Sequence, residues 1–154
     1  MAYGHAVAGR QASRVGRGAL AEKMVIDSDL RAAGKVEEEI LKEAARHGYC
    51  EACRFAIRLA LEEGLNNAIK HGNGFDPAKH VEVIYQVGPR ETSITIIDQG
   101  RGFDPSSVPD PRADENLEKP CGRGIMLMRA YMDEVDFSPK GNTVRMVKRN
   151  TGKA

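Results

Sequence analysis

HVEVIYQV (His80–Val87), GPRE (Gly88–Glu91) and TSITIID (Thr92–Asp98), running on into QGRGFD (Gln99–Asp104), form the stretch of this chain whose reading decides the fold. In both apolar segments hydrophobic residues alternate with polar ones and β-branched side chains abound. That is the pattern of strands buried on one face. Gly88–Glu91 between them predicts a hairpin turn. A sheet with one apolar face needs a covering layer, and the neighbouring segments supply helices for it.

Upstream, Lys23–Asp27 reads as a short strand. Ser28 or Asp29 then caps a helix, because their side-chain oxygens accept from the orphan amides of a first helical turn. Val36, Ile40, Leu41, Ala44 and Ala45 give that helix an apolar stripe, and Gly48 stops it. A second helix spans roughly Glu51 to His71, with Phe55, Ala56, Leu59, Leu61, Leu65 and Ala68 as a broad apolar surface. Gly72–Asn73–Gly74 ends it.

Downstream, residues 104–121 hold Pro105, Pro109, Pro111 and Pro120 without periodicity and predict a long loop. Gly124–Met132 reads as a helix. Glu134–Ser138 and Thr143–Lys148 read as a closing hairpin turning at Pro139–Asn142. The order predicts an α+β two-layer sandwich, a mixed and mostly antiparallel sheet covered on one face by helices. Residues 1–20, with Gly4, Gly9, Gly16, Gly18, Arg10, Arg14 and Arg17, read as a flexible basic arm. The domain then covers 21–150, with a tail over 151–154.

The chain has 154 residues, 41% of them hydrophobic and 29% charged, with a formal charge of +1. One globular domain is expected. So small a charge gives no global field for nucleic acid or an anionic membrane, and no apolar run approaches a membrane span. The N-terminus lacks the apolar stretch of a secretory signal. Cys50, Cys53 and Cys121 are an odd set in such a chain, which fits a reduced, cytoplasmic setting. Cys50 and Cys53 form a lone C-x-x-C. A zinc site wants two more ligands and only His47 is near; a redox motif wants a β-α-β setting that is absent. They read as helix-start cysteines, partly buried.

Three polar segments carry the chemistry. Glu63 and Asn67 are four residues apart on one helical face. Asn67 offers a hard neutral oxygen suited to Mg²⁺ bridging phosphates, and Glu63 can take a hydroxyl proton. Lys70 and His71, one turn on, add phosphate contacts. The alternative is a solvated helix face. Asp98 ends an apolar strand, where a carboxylate can accept from the amino group of adenine. Gly100 and Gly102 let the backbone pass close beside the base, and Phe103 can shield it. The alternatives are an ordinary Asp/Gly turn or part of a calcium loop, whose other ligands are missing. Finally, Gly122–Arg123–Gly124–Ile125 opens a helix whose free amides can bind phosphate, with Arg123 adding charge. Arg112 and Lys119 in the preceding loop can close over the phosphates. The alternative there is a flexible hinge. Neither a P-loop nor a dinucleotide glycine motif occurs.

LALEEGLNNAIKHGNG, IIDQGRGFD, GRGIMLMRAYMDEVDF and GNTVRMVKR, in that order, resemble the N box, G1 box, G2 box and closing strand of the GHKL (Bergerat-fold) ATPases. Within them the chain resembles the bacterial anti-sigma-factor serine kinases, from about Lys23 to Arg149. The resemblance implies ATP and Mg²⁺ as cofactors. It gives Glu63 the position of the catalytic base and Asn67 that of the Mg²⁺ ligand. Asp98 takes the place of the adenine-reading acid, with Gly100 and Gly102 lining the base. Gly122 and Gly124 match the phosphate-binding turn, and Thr143 matches a threonine beside the adenine. The lid, residues 104–121, has its own proline-rich sequence, and no family rule gives Lys119 or Cys121 a role.

The activity so implied is transfer of the γ-phosphoryl group to a serine on a STAS-domain antagonist, with a sigma factor or other target as alternative partner. Kinases of this kind also pair as homodimers through the helical and first-strand edge. A competing reading is a nucleotide-gated partner-switch protein with negligible transfer, against which the retention of Glu63 argues. A sensor histidine kinase fragment is disfavoured, since neither His5 nor His47 sits in a dimerisation helix pair.

Overall fold

The computed structural model describes residues 10–14, 20–102 and 123–151. Six strands form one sheet: β1 (Arg10–Arg14), β2 (Leu20–Asp27), β3 (His80–Val87), β4 (Glu91–Ile97), β5 (Glu134–Phe137) and β6 (Thr143–Arg149). Their spatial order is β1-β2-β3-β4-β6-β5. Every pairing is antiparallel. The α+β sandwich is as expected, and its sheet, read as mixed but mostly antiparallel, is antiparallel throughout the described residues. The proline-rich loop expected over 104–121 lies outside the described residues.

Register sets which face is buried. Met24 lies opposite Val83, Val83 opposite Ile96, and Ile96 opposite Val144. Tyr85, Ile94 and Met146 make a second row. All of these side chains are buried, and their neighbours along each strand, Val147 excepted, are half-buried or exposed. The period of two thus puts one apolar face toward the helices.

α1 (Leu30–Arg46) covers that face with Ala33, Val36, Ile40 and Ala44. Asp29 is its cap, accepting from the Arg31 N–H at 2.9 Å. α2 (Glu51–Asn66) buries Ile57, Ala60, Leu61 and Leu65 completely. Truncating any of these large side chains to alanine would cost about 2–5 kcal/mol. Gly64 lets α2 approach β4, since a Cβ there would stand 2.7 Å from Ile96 Cδ1. α3 (Arg123–Tyr131) packs on α2 through the buried Met128.

Two elements differ from expectation. Arg10–Arg14, read as part of a flexible arm, pairs with Leu20–Met24 as an edge strand. Edge pairing uses backbone groups, so RQASR can join the sheet without an apolar pattern. The second helix does not run unbroken to His71: it is α-helical to Asn66 and then widens into a π turn over Asn67–Gly72.

Candidate active site

The π turn positions the first pair. Glu63 belongs to α2 and Asn67 opens the turn, both half-buried. The Asn67 N–H still donates to the carbonyls of Glu63 and Gly64, so the two side chains keep one helical face. Beyond this point the bonding lengthens. The Asn73 N–H reaches back five residues to the Ala68 carbonyl at 2.8 Å. Single π turns inside α-helices occur often at functional sites because they re-aim the following residues.

Here the re-aimed residues are Gly72 and Asn73. A Cβ on Gly72 would stand 2.4 Å from Asp98 Cγ, so the Asp98 carboxylate lies directly on that glycine. A Cβ on Gly100 would stand 2.1 Å from the Gly72 carbonyl oxygen. Gly102 has φ +77°, and a Cβ there would meet the Lys140 carbonyl. The turn after β4 is thus threaded between the end of the π turn and the β5–β6 turn.

Asp98 is held from several sides. Its N–H donates to the Asn142 carbonyl at 2.9 Å, and its Oδ1 accepts from the Gly100 N–H at 2.8 Å. Burial pushes its carboxyl above the usual aspartate range, against the pull of the Gly100 amide and the Lys79 charge. Thr143 lies opposite Ile97 in register and is half-buried, so the start of β6 stands beside the Asp98 end of β4.

The third segment meets the first. A Cβ on Gly124 would stand 2.7 Å from Glu63 Oε2 and 3.4 Å from the side-chain amide nitrogen of Asn67. The first turn of α3, whose amides have no acceptors within the helix, therefore abuts the carboxylate–amide pair. Arg123 is exposed at that helix start. Ile125 packs against the hydrophobic core, so its side chain is structural.

Not every expected residue joins this cluster. Lys70 and His71 are exposed on the π turn. Phe103 and Gly122 lie outside the described residues, as do Arg112, Lys119 and Cys121. A surface cleft lined by Asp27, Asp29, Leu30, Phe75 and Pro77 includes none of the expected site residues.

One residue that the sequence reading took only as part of a helix stop matters more. Asn73 is buried, its Oδ1 accepts from the Gln99 N–H at 2.8 Å, and its Nδ2 donates to Ser28 Oγ and to the His80 carbonyl, each at 3.0 Å. Ser28, the other expected cap, instead donates its hydroxyl to the Lys79 carbonyl at 2.7 Å. Asn73 thereby ties the π turn to one end of the sheet, where β2 ends, β3 begins and the turn after β4 starts. The glycines on either side of it were the available signal.

The residues present fit a magnesium nucleotide. Hard oxygen donors and a helix N-terminus meet at one end of the π turn, and at its other end a half-buried carboxylate packs against glycines without Cβ atoms. Residues 26–148 match the family described as histidine kinase-like ATPase domain. The chain belongs to that family.

Relatives of this histidine kinase-like ATPase domain are bacterial regulators. The chain is 31% identical over 102 residues to an anti-sigma F factor of Anoxybacillus flavithermus, covering 62% of this chain and 68% of that protein. It is 28% identical over 139 residues to the serine-protein kinase RsbW of Bacillus velezensis, covering 84% and 86%. Among solved structures it is similar in fold to the RsbU and RsbW domains of a Mycobacterium tuberculosis protein. The TM-score is 0.55 at 17% identity, over 84% of this chain and 31% of that one. This chain thus spans about a third of that longer protein. Among the described residues of the ATPase domain no helix is long and apolar enough to cross a membrane.

Proposed function

We propose that this protein is an ATP-dependent protein-serine kinase that acts as an anti-sigma factor, phosphorylating a STAS-domain antagonist in a partner-switching module. The observation that carries the reading is the meeting of Gly124 with Glu63 and Asn67, together with the packing of the Asp98 carboxylate on Gly72 at the far end of the π turn that Asn67 opens. Family membership and relatives named as serine kinases and anti-sigma factors support it.

Each residue then has a task. Asp98 accepts from the adenine amino group, and Gly100 and Gly102 give the base room. The first-turn amides of α3, with Arg123, bind phosphate oxygens. Asn67 holds Mg²⁺, which when bound neutralises phosphate charge and aligns the transferring group. Glu63 takes the proton of the incoming serine hydroxyl, a contribution worth about 10²–10⁴-fold in rate. The serine gains charge on phosphorylation, and repulsion with desolvation then weakens its docking, so the kinase is freed for its other partner, a sigma factor or another regulated target.

Intact-mass spectrometry of STAS-domain proteins from the same source, each incubated with this chain and Mg·ATP, tests the reading. One phosphoryl group should appear on the true antagonist and be lost with Glu63→Ala, while that variant still binds ATP. ATP binding without transfer to any candidate would replace the kinase with a nucleotide-gated binding protein.

A further inference from the structure

The proposed chemistry makes no use of the C-x-x-C motif, and its geometry is specific. Cys50 is the N-cap of α2, with extended backbone angles, and its sulfur accepts from the Cys53 N–H at 3.4 Å. Cys50 is half-buried and so open to a small oxidant, whereas Cys53, one turn on, is buried. The Cys53 thiol donates to the Arg149 carbonyl at 3.7 Å and lies 3.3 Å from Thr151 Oγ1.

Burial works to raise the Cys53 thiol. Hydrogen bonds from Thr151 and Cys50 and the charge of Lys148 outweigh it and set the group below its usual range.

We propose that Cys50 and Cys53 form a dithiol–disulfide couple that hydrogen peroxide oxidises, with the more exposed Cys50 as the attacking sulfur and the buried Cys53 as the resolving thiol. The Cys50 sulfur attacks one peroxide oxygen, the O–O bond breaks, and one water leaves after protonation. The Cys53 sulfur then attacks the resulting sulfenic sulfur. The S–S bond forms, the S–O bond breaks, and the departing hydroxide takes the Cys53 proton as a second water. Two thiols are oxidised to one disulfide and one peroxide is reduced to two waters. The product frees Cys53 from Arg149 and Thr151, so oxidation loosens the tie between the C-terminal end of β6 and the helix that carries Glu63 and Asn67.

Trypsin releases both cysteines in one peptide, residues 47–54. The test uses the full chain carrying Cys121→Ser, reduced, treated with hydrogen peroxide under native conditions, alkylated and digested. The peptide should lose two hydrogens, resist alkylation and recover with dithiothreitol. Cys50→Ser, which keeps a good helix cap, should slow peroxide consumption at least about tenfold. Cys53→Ser should instead leave a sulfenic acid that dimedone traps. A peptide that stays fully alkylatable at a dose that oxidises free cysteine would overturn the proposal. So would one that gains oxygen without losing hydrogens.

Discussion

The Gly72 carbonyl oxygen and the Gly100 α-carbon pack so closely that a Cβ on Gly100 would lie 2.1 Å from that oxygen. The obstacle is backbone and cannot swing aside. Gly100→Ala should therefore destabilise the fold by about 1–3 kcal/mol, as overpacking does, and also shift the turn that follows Asp98. Urea unfolding and nucleotide titration of the same variant should both move. Normal nucleotide affinity in a variant that unfolds early would separate this contact from the site.

Gly124→Ala should behave in the opposite way. The nearest atom to its added Cβ is Glu63 Oε2, the free end of a side chain, at 2.7 Å. The carboxylate can move, and alanine is the better helix residue by up to about 1 kcal/mol. Thermal stability should hold or rise, while phosphoryl transfer falls because the carboxylate has been displaced. Equal losses of both would show that Gly124 serves packing alone.

Asp98 gives a pH signature. Its folded-state carboxyl is raised, so the folded chain binds this proton more tightly than the unfolded chain. The stability it contributes is present at low pH and is lost as pH rises through the raised value. Nucleotide binding runs the other way, because adenine needs the ionised acceptor. Affinity should fall on acidification, starting above the pH at which a free aspartate titrates. Asp98→Asn should lower affinity about 10–100-fold at neutral pH, the worth of a hydrogen bond to a charged group, and flatten the acid limb. An acid limb that persists in the variant would assign it elsewhere.

Asn73→Ala removes the partner of the Gln99 N–H, the Ser28 hydroxyl and the His80 carbonyl at once. The Ser28 hydroxyl keeps the Lys79 carbonyl, so the loss falls mainly on the part-buried Gln99 N–H and His80 carbonyl, at about 1–3 kcal/mol for each that finds no water. A loss of at least about 2 kcal/mol in chemical denaturation is expected, with nucleotide affinity falling in step. A loss below about 0.5 kcal/mol would show that the turn does not depend on this side chain.

Much of this was legible in the residues. His80–Val87 is a strand with the bounds its alternation predicts, and Gly48, at φ +74°, does stop α1. The carboxylate–amide spacing of Glu63 and Asn67 survives as written, because it depends only on bonds within one helical turn. What was not legible depends on contacts far apart in the chain. RQASR has no apolar period, and only the neighbouring strand makes it β1. Local propensity continues α2 to His71, but docking of Gly72 beneath Asp98 favours the wider turn. Asn73 between two glycines looks like a stop signal until three separate segments are seen to close on its amide.

The π turn also makes the length of this segment a constraint in its own right. Wider bonding over Asn67–Gly72 accommodates one more residue than an α-turn would at the same place. Deleting a single codon there would restore regular helix and turn Gly72 and Asn73 about a quarter of the way round the axis, away from Asp98 and Gln99. The hairpin at Gly88–Glu91 is held in another way: the Gly88 carbonyl accepts from the Tyr49 hydroxyl, and the Pro89 and Arg90 carbonyls accept from Asn150, so its length answers to contacts and not to helical phase. Substitutions and indels thus map differently onto this domain. Between Asn67 and Asn73 a change of length re-aims every residue that follows, whereas a change of side chain is felt at its own position.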